Sequence, residues 1–490
     1  MATTDVRWSA DSDLIIVGLY GLLPAAVLYF INALFLHVAS PRGVPFIRET
    51  PGNTCFSWRT RLAYLMYCEF ISREAYQNYT KQGQAVQPES VLSIAEAHVE
   101  FDQADYSLGH SKYSRDAWQG LLVKTKLNAI LENIMLALYD DLSVAFETYF
   151  GTDEQNWRSR NEQYLRDCFD AIDGCVIDAR VTGSMPPILR PILGPLVGLK
   201  ARLANRRVRQ HFEPLYRERL EILKLAKDDP SHTEPQDLSQ MMLRFAQRER
   251  PHELNDLTNM DTRLTVANFA SMHQTSFQVG VLLNIVASDA EFNTIALLRE
   301  EVAQVLGNNP NQWTKAKVSR MLKADSAARE TLRCHLFVGR AMFRKVVAAE
   351  RFESDTGNKL PKGSVLSFLS QPAHVDQDTY ENPHNYDPSR FSRVRGAAAD
   401  AGADSAIANA LSFVSTGPDY LAFSYGKHAC SGGFLVGFEL KIIIAYVLTH
   451  YDIRLPEEYG GQRPANLWMA EAVVPPRGVN LLGQRRRLKD

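Results

Sequence analysis

The feature that most constrains this chain is the run Phe423-Ser424-Tyr425-Gly426-Lys427-His428-Ala429-Cys430-Ser431-Gly432, which leads directly into the apolar stretch from Phe434 to Leu448. It sets a cysteine in a glycine-rich turn at the mouth of an apolar helix. Unpaired amides and the positive end of the helix dipole favour negative charge there, so Cys430 is placed to act as an anionic ligand. Gly426 and Gly432 permit conformations and close backbone approaches that a side chain would obstruct. The competing reading is a structural cysteine near a turn, and the rest of the chain decides between the two.

A chain of 490 residues with 45% hydrophobic and 22% charged residues can bury a large core. Lys and Arg number 54 against 56 for Asp and Glu, so no global basic field exists to attract nucleic acid. The six cysteines, Cys55, Cys68, Cys168, Cys175, Cys334 and Cys430, show no paired short spacing, which argues against a disulfide framework or a zinc site.

From Leu14 to Leu36 no residue is charged. As a helix this span reaches roughly 34 Å, enough to cross a bilayer core of about 30 Å. It reads as a membrane anchor, with a cleaved signal peptide as the rival. Arg42, Arg48, Arg59 and Arg61 follow the span and only Arg7 precedes it, an asymmetry that places the bulk of the chain in the cytosol. The chain thus divides into a short N-terminal segment (1–13), an anchor (14–38), a proline-containing linker (39–50), a large domain (51–484) and a basic tail (485–490). That tail is either a solvated end or a contact with anionic lipid.

Apolar residues recur at helical spacing over Asp116 to Phe150, Arg263 to Ala287 and Lys317 to Phe337. Ala341 to Ala348 and Ser364 to Leu369 read as strands, with Pro361-Lys362-Gly363 as a turn before the second. The fold class is therefore mainly α with a small β part. Arg393 to Ala410, rich in Ala, Gly and Asp, reads as a surface insertion. Glu330-Thr331-Leu332-Arg333 sets an acid and a base three apart on one helix face. After it come Leu360-Pro361-Lys362-Gly363, His374-Val375-Asp376, Tyr380-Glu381-Asn382-Pro383 and Asp387-Pro388-Ser389-Arg390-Phe391, all before the cysteine loop.

The loop and this order of segments resemble the cytochrome P-450 superfamily, and the wording Gly-Lys-His-Ala-Cys followed by Phe-Leu-x-x-x-Glu-Leu-Lys is most similar to fungal microsomal members. The resemblance implies a cytochrome P-450-like fold behind a single N-terminal transmembrane helix, with haem b held by the Cys430 thiolate as axial ligand. By position it gives Phe423, Gly426 and Gly432 to the haem loop, His428 and His374 to the haem propionates, and Lys124, in the helix beginning at Trp118, to the same role. It implies a buried network of Glu330, Arg333 and Arg390 that locks the segment under the haem. Two positions depart from the fungal wording: Ser431 stands where Pro is common and Gly433 where Arg is common.

Leu264 to Ala287 resembles the long helix crossing the distal face, where Ala270 lets substrate approach and His273, Gln274 and Thr275 are the catalytic positions. Gln274 occupies the usual threonine position. An amide orients water but relays a proton less readily than an alcohol, which leaves Thr275 or an ordered water to take over.

The activity implied is monooxygenation of an apolar small molecule, a terpenoid, polyketide or alkaloid of secondary metabolism. Electrons would come from NADPH through a membrane-bound flavoprotein reductase, docked with help from Lys427 and Lys124. The endoplasmic reticulum membrane is the implied location, with no nucleic acid partner. Two segments look short against the resemblance, one around Gln84 to Ser90 and one between Trp157 and Arg160. Two further readings stay open: a haem-thiolate peroxygenase, isomerase or oxidative cyclase, motivated by Gln274, and a non-catalytic remnant, motivated by the short segments.

Overall fold

The computed structural model describes residues 47–48, 58–82, 113, 116–127, 130–150, 162–184, 189–228, 234–278, 280–307, 313–346, 352–353, 357–362, 364–402, 409–426, 429–469, 472–476, 479 and 481–486. The expected anchor (14–38), nearly all of the linker, the segments around 84–90 and 157–160, and the tail beyond Arg486 lie outside the described residues.

The Gly433–His450 helix is apolar on nearly every side, so it can be stable only when surrounded. Ile442, Ile444, Val447 and Leu448 are almost wholly buried, and the main core forms round them with Val281, Ile285, Val302 and Leu332. The helix is long and apolar enough to cross a membrane, but it is mostly buried within the protein and is a core element. Arg299 ends it by donating to the carbonyls of Leu448 and Tyr451, both at 2.9 Å, satisfying acceptors that a helix end leaves open.

The Leu322–Cys334 helix packs against this core helix. Its own N-cap residue, Met321, makes no side-chain cap, so a neighbour supplies one. Glu301 accepts from Lys323 N–H at 2.6 Å and Ala324 N–H at 2.9 Å. Burial raises the Glu301 pKa, opposed by those backbone donors.

The long Leu257–Gln278 helix lies across the Glu162–Ser184 and Leu199–Asp228 helices, with Val266, Phe269 and Met272 packed against Cys175, Ala201 and Cys168. Near its start Arg263 is fully buried over the rings of Tyr113 and Trp118 and pairs with Glu253 at 3.1 Å. Beyond residue 279 the helical course resumes as Val281–Ala287.

The strands are minor. The described residues form four two-stranded antiparallel sheets, of which Ala341–Lys345 with Val365–Phe368 is the largest beside Tyr451–Arg454 with Leu482–Arg485. The architecture is mainly helical with a small sheet part. Residues 393–400, within the stretch expected as a surface insertion, form most of the Arg390–Asp400 helix, which is largely exposed but buries Arg395.

Candidate active site

Cys430 closes its loop through the backbone: its N–H donates to the Phe423 carbonyl at 2.9 Å, and Ala429 N–H donates to Gly426 at 3.1 Å. Gly426 has φ +75°, which favours glycine, and Ser424 adopts φ +64° at some cost in strain. Gly432 has φ −89°, so its freedom of rotation is not what the site uses. A side chain there would meet Cys430 Sγ at 4.0 Å, so glycine keeps the sulfur's flank clear.

Phe423 is wedged against the helix behind the loop. A Cβ at Gly433 would come within 3.3 Å of its ring, so the arginine common in the fungal wording would need the Phe423 ring to give by a few tenths of an ångström. Phe413 meets the Phe423 ring edge-on at 5.1 Å and also leaves no room at Gly437, where a Cβ would stand 3.0 Å from it.

The Cys430 thiol is exposed. Desolvation by the protein crowding it raises its pKa, and the N–H groups of Gly432 and Gly433 pull the other way without prevailing. A cation bound to the sulfur would favour its ionised form. An accessible soft donor with one clear flank and two nearby amides fits the axial-ligand role toward haem iron.

Glu330 and Arg333 are fully buried. Arg333 donates to both oxygens of Glu330 at 2.7 Å and to the carbonyls of His374 and Pro383 at 2.8 and 2.7 Å. Burial works against its charge, but the Glu330 bonds prevail and its pKa is raised. Arg390 Nε reaches Glu330 at 3.0 Å, and Asp387 N–H donates to the same oxygen at 3.1 Å. These contacts fix the irregular segment between His374 and Arg390.

A second buried cluster was not read from the sequence. Asp325 accepts from Arg395 at 2.7 Å, Phe413 N–H at 2.8 Å and Lys441 at 3.3 Å. It joins three helices to the residue that braces Phe423.

His374 is fully buried, and its Nε2 accepts from Leu421 N–H at 2.7 Å. The structure therefore sets it beside the entry to the cysteine loop, with that nitrogen taken by backbone and not free for a propionate. Lys124 is exposed, whereas Trp118, on the same helix, turns inward to Glu253 at 3.3 Å. His428 and Lys427 lie outside the described residues, as do the side chains of His273 and Gln274. Ala270 is exposed and Thr275 half-buried, with position 274 one turn beyond Ala270.

A cavity of about 660 Å³ opens between the Trp58–Asn78 helix, Asn284 to Ser288 and the segment from Gln462 to Val473. It shares His335, Arg463, Asn466 and Val473 with a small pocket of about 10 Å³ that reaches Gly280. Its walls, with Arg73, His335, His384 and Arg463, are too polar for the dry pocket an apolar substrate requires.

The cytochrome P450 family description matches residues 142–482 of the sequence, well over half of the chain. The chain belongs to the cytochrome P450 family. This P450 is 42% identical to cytochrome P450 monooxygenase astC of Aspergillus terreus, over 95% of this chain and 96% of that protein. It is 41% identical to cytochrome P450 monooxygenase pbrC of Penicillium brasilianum, over the same shares. It is 37% identical to cytochrome P450 monooxygenase tenB of Beauveria bassiana, over 96% of this chain and 97% of that protein. It is a haem-thiolate monooxygenase of the fungal type. The first two alignments run over 519 positions, more than the 490 residues of this P450, so those relatives carry residues where this chain has none.

Proposed function

We propose that this P450 oxidises an apolar small molecule of fungal secondary metabolism at a membrane, with electrons from NADPH passed on by a separate flavoprotein reductase. The observation that carries the reading is the exposed Cys430, whose backbone N–H donates to the carbonyl of Phe423, itself braced edge-on by Phe413. Haem, when bound, supplies the activation of dioxygen and the insertion of one oxygen atom into the substrate.

The chain's own residues supply the rest. Cys430 would hold the iron through its thiolate. The Glu330, Arg333 and Arg390 network keeps the segment beneath it from opening. Ala270 leaves room for substrate on the distal side, and Thr275, with the Gln274 amide, holds water and moves a proton there. Uncharged residues 14–36 are suited to keep the domain at the bilayer of the endoplasmic reticulum, where an apolar substrate partitions. His428 and Lys124 are proposed for the propionates. Lys427 and Lys124 offer positive charge to an acidic reductase face.

The test is the absorption spectrum of the dithionite-reduced, carbon monoxide-bound full chain. A strongly red-shifted Soret band in the wild type, lost in Cys430→Ala, is expected. A band typical of a neutral ligand in the wild type would overturn the reading. Reductase-supported turnover should fall in Lys427→Glu with no change of spectrum, and unchanged turnover would remove Lys427 from the docking face.

A further inference from the structure

We infer that His374 is a positioning residue for the thiolate ligand, which couples the buried Glu330 and Arg333 pair to the start of the cysteine loop. The inference rests on the haem-thiolate reading of Cys430 and gives His374 a role other than contact with the haem.

Two bonds define the coupling. The His374 carbonyl accepts from Arg333 Nη1 at 2.8 Å, and its ring Nε2 accepts from Leu421 N–H at 2.7 Å. One residue therefore joins the Leu322–Cys334 helix to the strand of chain that runs through Leu421 to Phe423. Phe423 in turn receives the Cys430 N–H. From Leu421 to Tyr425 the chain lies in no helix or strand, so its course depends on such single bonds.

The ring cannot turn away. It stacks on Tyr420 at 5.1 Å with an interplanar angle of 9°, and the far-reaching Arg329 guanidinium lies 3.7 Å from the Tyr420 ring centre. Arg329 is itself tied to the Ser415 carbonyl at 2.8 Å. Because Nε2 accepts, the ring proton sits on Nδ1 and the imidazole is neutral. Burial supports this, pushing the pKa down to about 3. The residue the position demands is a neutral, flat acceptor of fixed direction.

The experiment compares His374→Phe, which keeps the flat ring on Tyr420 but removes the acceptor, with His374→Gln, which restores a neutral acceptor. The full chain is expressed with haem, and the carbon monoxide-bound reduced spectrum gives the ratio of thiolate-ligated to neutral-ligated protein. Orphaning one buried N–H should shift that ratio by about tenfold in His374→Phe. Haem content and helical circular dichroism should stay at wild-type values, and His374→Gln should recover most of the ratio.

A wild-type ratio in His374→Phe overturns the inference. So does a fall in haem content with every remaining haem still thiolate-ligated, which would assign His374 to the propionates. Should His374→Phe fail to fold, His374→Gln decides: a wild-type ratio supports the inference, and a ratio no better than that of an acceptor-free His374→Leu protein overturns it. A wild-type chain with no red-shifted band would overturn the haem-thiolate reading itself and the inference with it.

Discussion

Arg395 reaches Asp325 at 2.7 Å, with both side chains buried, and so binds the Arg390–Asp400 helix to the Leu322–Cys334 helix. The same carboxylate holds Lys441 of the cysteine helix and the Phe413 N–H. Asp325→Ala would leave two buried cations without their partner, a loss of about 3–5 kcal/mol for a pair broken on one side. Urea unfolding of the purified protein should show that loss, together with a shifted carbon monoxide-bound spectrum because Phe413 braces Phe423. A loss below about 1 kcal/mol would mean that the cluster relaxes to water when broken.

The same carboxylate shows where the sequence stops being informative. The cysteine loop and the Glu330 to Arg333 spacing are short-range patterns, legible because the residues that act together lie within one turn or one loop. The helical and strand segments were legible for the same reason, since periodicity is local. Arg395 sits among Ala, Gly and Asp and reads as solvated surface; its partner is 70 positions away, and no local pattern reports such a pairing. Trp118 shows the same limit: its indole N–H goes to Glu253, 135 positions on, a pairing that no local pattern reports. His374 was singled out by order of segments, but which atom its ring would meet depended on how the chain returns at Leu421.

Arg333 uses its fork fully, donating to both oxygens of Glu330 and to the backbone carbonyls of His374, Pro383 and Asn385. Arg333→Lys keeps the charge and loses the fork, because an ammonium cannot serve all of these acceptors in one plane. We expect a destabilisation of about 3 kcal/mol and a chain that loses haem on gel filtration. Full haem retention in Arg333→Lys would show that charge alone suffices.

Asp261 is fully buried on the Leu257–Gln278 helix, and burial pushes its pKa up to about 6 against the pull of Arg209, 3.1 Å away. Its folded pKa lies above the unfolded value, so the folded state holds the proton more tightly. The contribution to stability is greatest below about pH 4 and is lost as pH rises through 6, by about 3 kcal/mol in all. Asp261→Asn should flatten the denaturation midpoint over that window, measured from pH 4 to 7. An unchanged pH profile in the variant would place the titration elsewhere.

Thr275 follows Gln274 in the Leu257–Gln278 helix, and the two side chains differ in what they can do with a proton. An alcohol donates and accepts through one atom, so it can pass a proton along a chain of water; an amide uses separate atoms and mainly orients its neighbours. If Thr275 carries the proton, Thr275→Ala should lower NADPH-driven turnover by about 10²-fold, the usual scale for losing a positioned proton donor. Turnover driven by hydrogen peroxide, which brings its own protons, should fall far less. Gln274→Ala should then act weakly, and Gln274→Thr should raise the fraction of NADPH consumed that appears as product. Equal losses in the two assays for Thr275→Ala would mean that the residue shapes the pocket and does not move the proton. A wild-type chain that turns over only with peroxide would favour the peroxygenase reading over the monooxygenase cycle.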